Sequence, residues 1–213
     1  MLLCLPPARH PVRMADTELV ETPTPHRADD GTRRGPDLLR SIGVFLLRLT
    51  VGGLLTGHGA QKLLGWFGGG GIKKTGTQME SMGLSPGQSW AAFAGASELG
   101  GGLLTAAGLF SPVGPLVASG AMLVAALTVH AGKPIWITKG GAELPVTNLA
   151  ALGAVMAVGP GLFSLDRVFG IRLPRILALP GLAAVGAMTW LTLKARSAGT
   201  TRSDLTVKAK RAA

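Results

Sequence analysis

Five apolar runs divide the chain beyond its first forty residues: 41–57 (extending towards 64), 90–110, 113–129, 144–163 and 176–193. Each has 17 to 21 residues, and a bilayer core of about 30 Å takes roughly 20 helical residues to cross. Buried helices of a soluble protein rarely come as five such runs in one short chain. Ser85 and Pro86 stand before the second run as a cap and first-turn proline. Phe110-Ser111-Pro112 leaves room only for a tight turn, so the second and third helices are antiparallel neighbours. The connection before the second run is longer and predicts a short interfacial helix over 75–82. The expected fold is all-α: an integral membrane four-helix bundle with a candidate fifth C-terminal hydrophobic helix, which Pro180 and Gly181 weaken. Residues 52–56 and 101–105 share one five-residue sequence, which in a chain so rich in Gly, Leu and Ala reads as coincidence.

Composition agrees with lipid as the solvent. Hydrophobic residues make up 47% of the 213 and charged residues 15%, against about 25% charged in an ordinary soluble domain. The net charge of +10 is carried in the tails and loops, the pattern that anchors a protein to anionic headgroups. No nucleic-acid-binding motif accompanies it, so nucleic acid is not an expected partner. The one cysteine, Cys4, excludes an internal disulfide or a thiol relay within the chain. Residues 1–37, rich in Pro, Arg, Asp and Thr, read as a disordered tail, with Met14 an alternative start. Residues 168–193 read as a linker with the fifth helix, and 194–213 as a basic tail. The absence of tyrosine and the Gly/Ala/Arg bias suggest a GC-rich bacterial genome, hence a multi-pass protein of the bacterial plasma membrane.

Topology turns on the fifth run. If it spans, the side with the basic tail holds eleven positive residues against six, which places the N-terminus outside. If it only lies on the membrane, the N-terminus, the linker and the tail share one side, with twelve against five. The weakness at Pro180-Gly181 favours the second arrangement: a four-helix core with the N-terminus inside.

Two charged residues sit in mid-run, Arg48 in the first and Glu98 in the second. A charge at that depth costs about 2.5–3.5 kcal/mol on insertion scales, so both are expected to face inward and to form a buried ion pair. Arg48, Gly52, Leu55, Gly59 and Lys62 fall on one helical stripe. Glu98 shares its face with Ala91, Gly95, Gly101, Gly102 and Thr105, small residues that let helices approach closely. The pair either serves chemistry or only fixes helix register. A polar cluster is expected at one membrane face: His58, Lys62, His130, Glu143 and Asn148, with Trp66, Trp90 and Trp136 as an interfacial belt. His58, His130 and Glu98 are the catalytic candidates. The histidines lack metal-ligand spacing, and no metal is expected. Residues 68–75 approach a phosphate-binding loop, but Lys73 stands where glycine is required and no strand precedes it.

These residues resemble the signatures of the DoxX family over about residues 39–167. Arg48 and Gly52, then His58-Gly59 and Lys62, are similar to its first-helix motif. Gly83-Leu84 followed by a proline, and Glu98 with Gly100, Gly101, Gly102 and then Gly108-Leu109, are similar to its second. His130, Glu143 and the closing Gly159, Pro160, Gly161, Ser164, Leu165 and Asp166 complete the order. The resemblance makes residues 38–167 a DoxX-like four-helix domain. It implies kinship with a small subunit of a thiosulfate:quinone oxidoreductase and with membrane partners of redox-defence enzymes, although many members have no assigned activity.

Three functions compete. The first is a quinone-interacting subunit of a membrane oxidoreductase, with the quinone headgroup near His58, Lys62 and His130 and protons from Glu98 or a histidine. No intrinsic cofactor is expected, so electrons come from another protein or from the substrate. The second is a non-catalytic scaffold docking a soluble redox or stress-response enzyme through its basic tail and its glycine-rich loop. The third is a small-solute carrier, which would need to self-associate into oligomers.

Overall fold

A computed structural model describes residues 38–212. The leading tail, with Cys4 and Met14, lies outside the described residues. Seven α-helices and two short 3-10 turns make up the described chain: α1 (Leu38–Leu64), α2 (Gly71–Ser81), α3 (Gly87–Ala107), α4 (Val113–Thr128), α5 (Glu143–Val158), α6 (Leu165–Val168) and α7 (Ala178–Ala212). There is no strand among the described residues.

The bundle is built on the crossing of α1 and α3, and glycine sets its distance. A Cβ on Gly52 would lie 2.6 Å from Gly102 O, and one on Gly59 would lie 2.7 Å from Gly95 O and press on the backbone of Leu99. These contacts also fix the antiparallel register: Gly52 faces Gly102 and Gly59 faces Gly95. The two copies of the five-residue match therefore pack on each other, Gly102 also meeting Thr56. What reads as coincidence in the sequence is one of the two close contacts of the interface. Gly59→Ala is expected to destabilise by about 1–3 kcal/mol, as forced overpacking does. Gly53→Ala, with nothing within 4 Å of its added methyl, should be neutral or gain up to about 1 kcal/mol of helix propensity. Unfolding midpoints in detergent test this, and a loss at both positions would refute the packing account.

Helix ends differ from the expected runs for identifiable reasons. α3 begins at Gly87, not Trp90; Pro86 takes the cap position without a side-chain bond, and Glu80 Oε1 accepts the Gly87 N–H at 3.1 Å in place of a serine cap. α3 ends at Ala107 because Gly108 turns left-handed at φ 64°. Leu109 N–H then reaches back to Leu104 O at 2.9 Å, capping orphan carbonyls. α5 stops at Val158, five residues short of the expected run. Gly159 and Gly161 take positive φ there, and residues 159–164 fold back over the bundle end. The interfacial helix of the connection is α2, beginning at Gly71 and burying Thr75 and Gly76.

The fifth run departs most from the preferred reading. α7 is one continuous helix that takes in the expected basic tail, and it crosses the bundle beside α4. It leaves the 3-10 turn Arg175–Leu177 near the start of α4. Further on, Arg196 Nη1 donates to Thr128 O at α4's far end at 3.0 Å, and Gly199 packs on Gly83. Pro180 falls in the first helical turn, where the missing N–H would have had no partner anyway. It therefore does not break the helix, and the surface-lying fifth segment is corrected to one that packs along the core.

The exposure pattern is inverted relative to a soluble bundle. Arg48, Glu98 and Thr105 are each about 1% exposed, while Leu46, Leu54, Phe93, Leu103 and Leu191 lie open on the outside. Residues Leu38–Leu64 and Ala178–Thr201 are long and apolar enough to cross a membrane by length and composition. α4 and α5, at 16 residues each, rise about 24 Å.

Candidate functional site

The bundle has two polar ends. One holds the start of α1, the α3–α4 turn and the loop after α5. The other holds the end of α1, α2, the start of α3 and the loop between α4 and α5.

At the second end, Lys62 projects from the last turn of α1 onto α3 and forms an ion pair with Glu98 Oε1. The expected Arg48–Glu98 pair is therefore corrected: the partner of Glu98 is Lys62. Arg48 and Lys62 share one stripe of α1 but stand 14 residues apart, about 21 Å along the axis. The Gly59–Gly95 contact brings Lys62, and not Arg48, level with Glu98. The two partners differ in surroundings: the Lys62 side chain is 31% exposed and that of Glu98 1%. Glu98 Oε2 is buried and has no hydrogen-bond partner.

Beside the pair lies a cavity of about 220 Å³ lined by Lys62, Glu98 and His130, with Thr75 and Gln78 from α2. Thr75 Oγ1 donates to Lys62 O at 3.3 Å, tying α2 to α1. His130 Nδ1 lies 2.7 Å from Gly140 O, which orients its ring. Of the expected polar cluster, Lys62 and His130 thus meet Glu98 at one cavity. His58 does not: it is exposed and bonds Gln61 Oε1 at 3.1 Å on its own helix. Glu143 organises the loop instead, accepting the Ile137 N–H at 2.8 Å. Asn148 Nδ2 lies 3.6 Å from Met122 Sδ. Thr75 and Gln78 carry no sequence signal beyond membership of a short helix. Trp66 and Trp136 are more than half exposed, as belt residues would be.

Beyond the cavity runs an apolar groove of about 520 Å³ between α3, α4 and α7. Met79, Leu84, Ala94, Ala121 and Val124 line both spaces. Polar cavity and apolar groove are thus neighbours sharing one wall.

At the first end, Arg48 is enclosed by the loop after α5. Its Nη2 donates to Phe163 O, and its guanidinium stands 5.7 Å from the Phe45 ring centroid. Nε and Nη1 have no partner. A side chain at Gly108 would overlap this guanidinium, so the left-handed glycine also makes room for a charge. Asp166 supplies the opposing charge. Its Oδ1 and Oδ2 accept the Phe110 and Ser111 N–H groups at 2.7 and 2.9 Å. Ser164 caps α6 by accepting the Arg167 N–H. Gly159, Pro160, Gly161, Ser164, Leu165 and Asp166 thus form the strap that closes this end. Among the described residues no group of three His, Cys, Asp or Glu stands in metal-holding positions.

An apolar exterior, a buried ion pair and small-residue helix crossings define an α-helical membrane bundle. Residues 43–131 match the DoxX family model: the chain carries a DoxX domain over that span, from within α1 to Ala131 just beyond α4. Glu143 and the closing strap lie outside the matched span. No curated protein and no solved structure matches the chain.

Proposed function

We propose that this protein is a quinone-interacting subunit of a membrane oxidoreductase, with the quinone headgroup in the Lys62–Glu98–His130 cavity and its tail in the adjoining groove. The observation that carries the reading is Glu98 Oε2, a buried oxygen without a partner at a cavity that shares a wall with an apolar groove. At about 220 Å³ the cavity falls below the roughly 300–1,000 Å³ of small-molecule pockets, so it suits one ring while the groove takes the apolar remainder. Reduction of a quinone to its quinol takes up two electrons and two protons. Glu98, whose Oε1 accepts from the Lys62 ammonium, is the group placed to relay a proton from that ammonium to a quinone oxygen, and His130 lines the same cavity as a second proton carrier. The electrons come from another protein or from the substrate, since a single cysteine offers no thiol relay within the chain. Gentle purification followed by mass spectrometry should find quinone near one per chain, and Glu98→Gln should lose it at least tenfold. Retention of quinone by that variant, or its absence from the native protein, would overturn the reading.

With α7 crossing the bundle, the second end collects the larger positive count, eleven residues against six. By the positive-inside rule we place that end in the cytoplasm of a bacterium and the cavity near its inner surface. In a Cys4→Ser background, a membrane-impermeant maleimide should label Phe169→Cys and not Ser81→Cys in intact cells. The reverse labelling would invert the topology.

A further inference from the structure

At the first end, away from the quinone reading, lies a second pocket of about 690 Å³ beneath the strap, lined by Arg40, Arg167 and Arg172. We infer that it binds a phosphate-class oxyanion, borne in the membrane by the headgroup of an anionic phospholipid. The three arginines come from three places: α1, α6 and the linker before α7. The one acid lining the pocket is Asp166, and it is already committed. Both its oxygens accept backbone N–H groups, and its charge offsets Arg48. No carboxylate among the described residues pairs with any of the three arginines; Arg40 reaches only the Val158 carbonyl, at 3.5 Å. Three guanidiniums and no free carboxylate therefore surround a space large enough for a phosphate ester.

Guanidinium is the side chain whose planar fork matches phosphate oxygens two at a time. Position selects the lipid over a free ion. The pocket opens at the end of an apolar bundle, and Ile42 and Leu46, on the same stretch of α1 as Arg40, are exposed, giving acyl chains a surface to follow. Each arginine near such a headgroup contributes about a fivefold factor in binding.

The test uses the full-length protein in detergent micelles doped with phosphatidylglycerol or phosphatidylcholine, with bound lipid counted by native mass spectrometry. Phosphatidylglycerol is expected to bind at least tenfold more tightly than phosphatidylcholine. Arg40→Gln with Arg172→Gln should weaken it about thirtyfold and leave phosphatidylcholine unchanged. Arg172→Gln alone removes an exposed side chain and should weaken it about fivefold, which keeps the test sound if the double variant folds poorly. Lys73→Gln with Lys74→Gln, at the other end, should change nothing. Stabilisation by inorganic phosphate that is lost in Arg172→Gln, without lipid preference, would support the oxyanion site and reassign its source to free phosphate. Unaltered phosphatidylglycerol binding in both arginine variants would overturn the inference.

Discussion

Lys62→Met is expected to destabilise the protein by about 3–5 kcal/mol, whereas Glu98→Gln should cost about 1–2 kcal/mol. The asymmetry follows from where the two charges can go. Glu98 is 1% exposed on the packed face of α3, so without its ammonium partner the carboxylate stays in place, uncompensated. Lys62 is 31% exposed at the last turn of α1. Without the carboxylate it can swing its charge to the surface along its own flexible stem, and the glutamine still offers an acceptor. Unfolding midpoints of both variants in detergent test this, and Lys62→Met combined with Glu98→Gln should recover most of the single lysine loss. Equal losses in the two single variants would refute the argument. The small cost at Glu98 also makes the quinone experiment readable, since a folded Glu98→Gln protein that loses its ligand has lost a site and not a fold.

Periodicity along one helix could say that Arg48 and Lys62 share a stripe, and that Glu98 faces inward among small residues. It could not say which of the two cations meets Glu98, because that depends on the register between helices. Backbone contacts at Gly52, Gly59, Gly95 and Gly102 fix that register, and the same four glycines in a linear chain look like ordinary small residues. The end of α5 is set by a stop signal, Gly159-Pro160-Gly161, that the apolar composition of the run hides. Residues 159–163 end in apolar Leu162 and Phe163, which extend the run, but Gly159 and Gly161 take positive φ and Pro160 cannot continue a helix, so together they turn the segment into a strap. The path of α7 hinged on Pro180, whose effect depends on whether it falls in a first turn or a helix interior. His58 and His130 appear equivalent in the sequence. The structure separates them because His58 is exposed on α1, whereas His130 follows the end of α4 and lines the cavity with Lys62 and Glu98. What could be read without coordinates was the solvent of the exterior and the presence of buried charge. Geometry was needed to say which charges answer one another.

Arg48 makes the same point at the first end, and there the larger effect is expected from its counter-charge. Asp166→Ala should destabilise by about 3–5 kcal/mol, the usual result of stranding a buried charge. Three losses fall together on this one side chain: the acceptors for the Phe110 and Ser111 N–H groups and the charge that opposes an enclosed guanidinium. They are not additive, because all three depend on the strap remaining docked. Asp166→Asn separates them. It keeps an oxygen for one backbone N–H but removes the charge, so its loss should lie between wild type and alanine. Arg48→Met removes the cation whose Nε and Nη1 have no acceptor and should cost less than Asp166→Ala. If charge compensation outweighs the backbone hydrogen bonds, Arg48→Met with Asp166→Asn will be more stable than the sum of the two single losses, by a coupling of about 1–3 kcal/mol. Strict additivity would mean that Asp166 acts through its backbone hydrogen bonds alone, with Arg48 held by Phe163 O and the Phe45 ring. The unfolding midpoint of this four-protein cycle in detergent decides between the two.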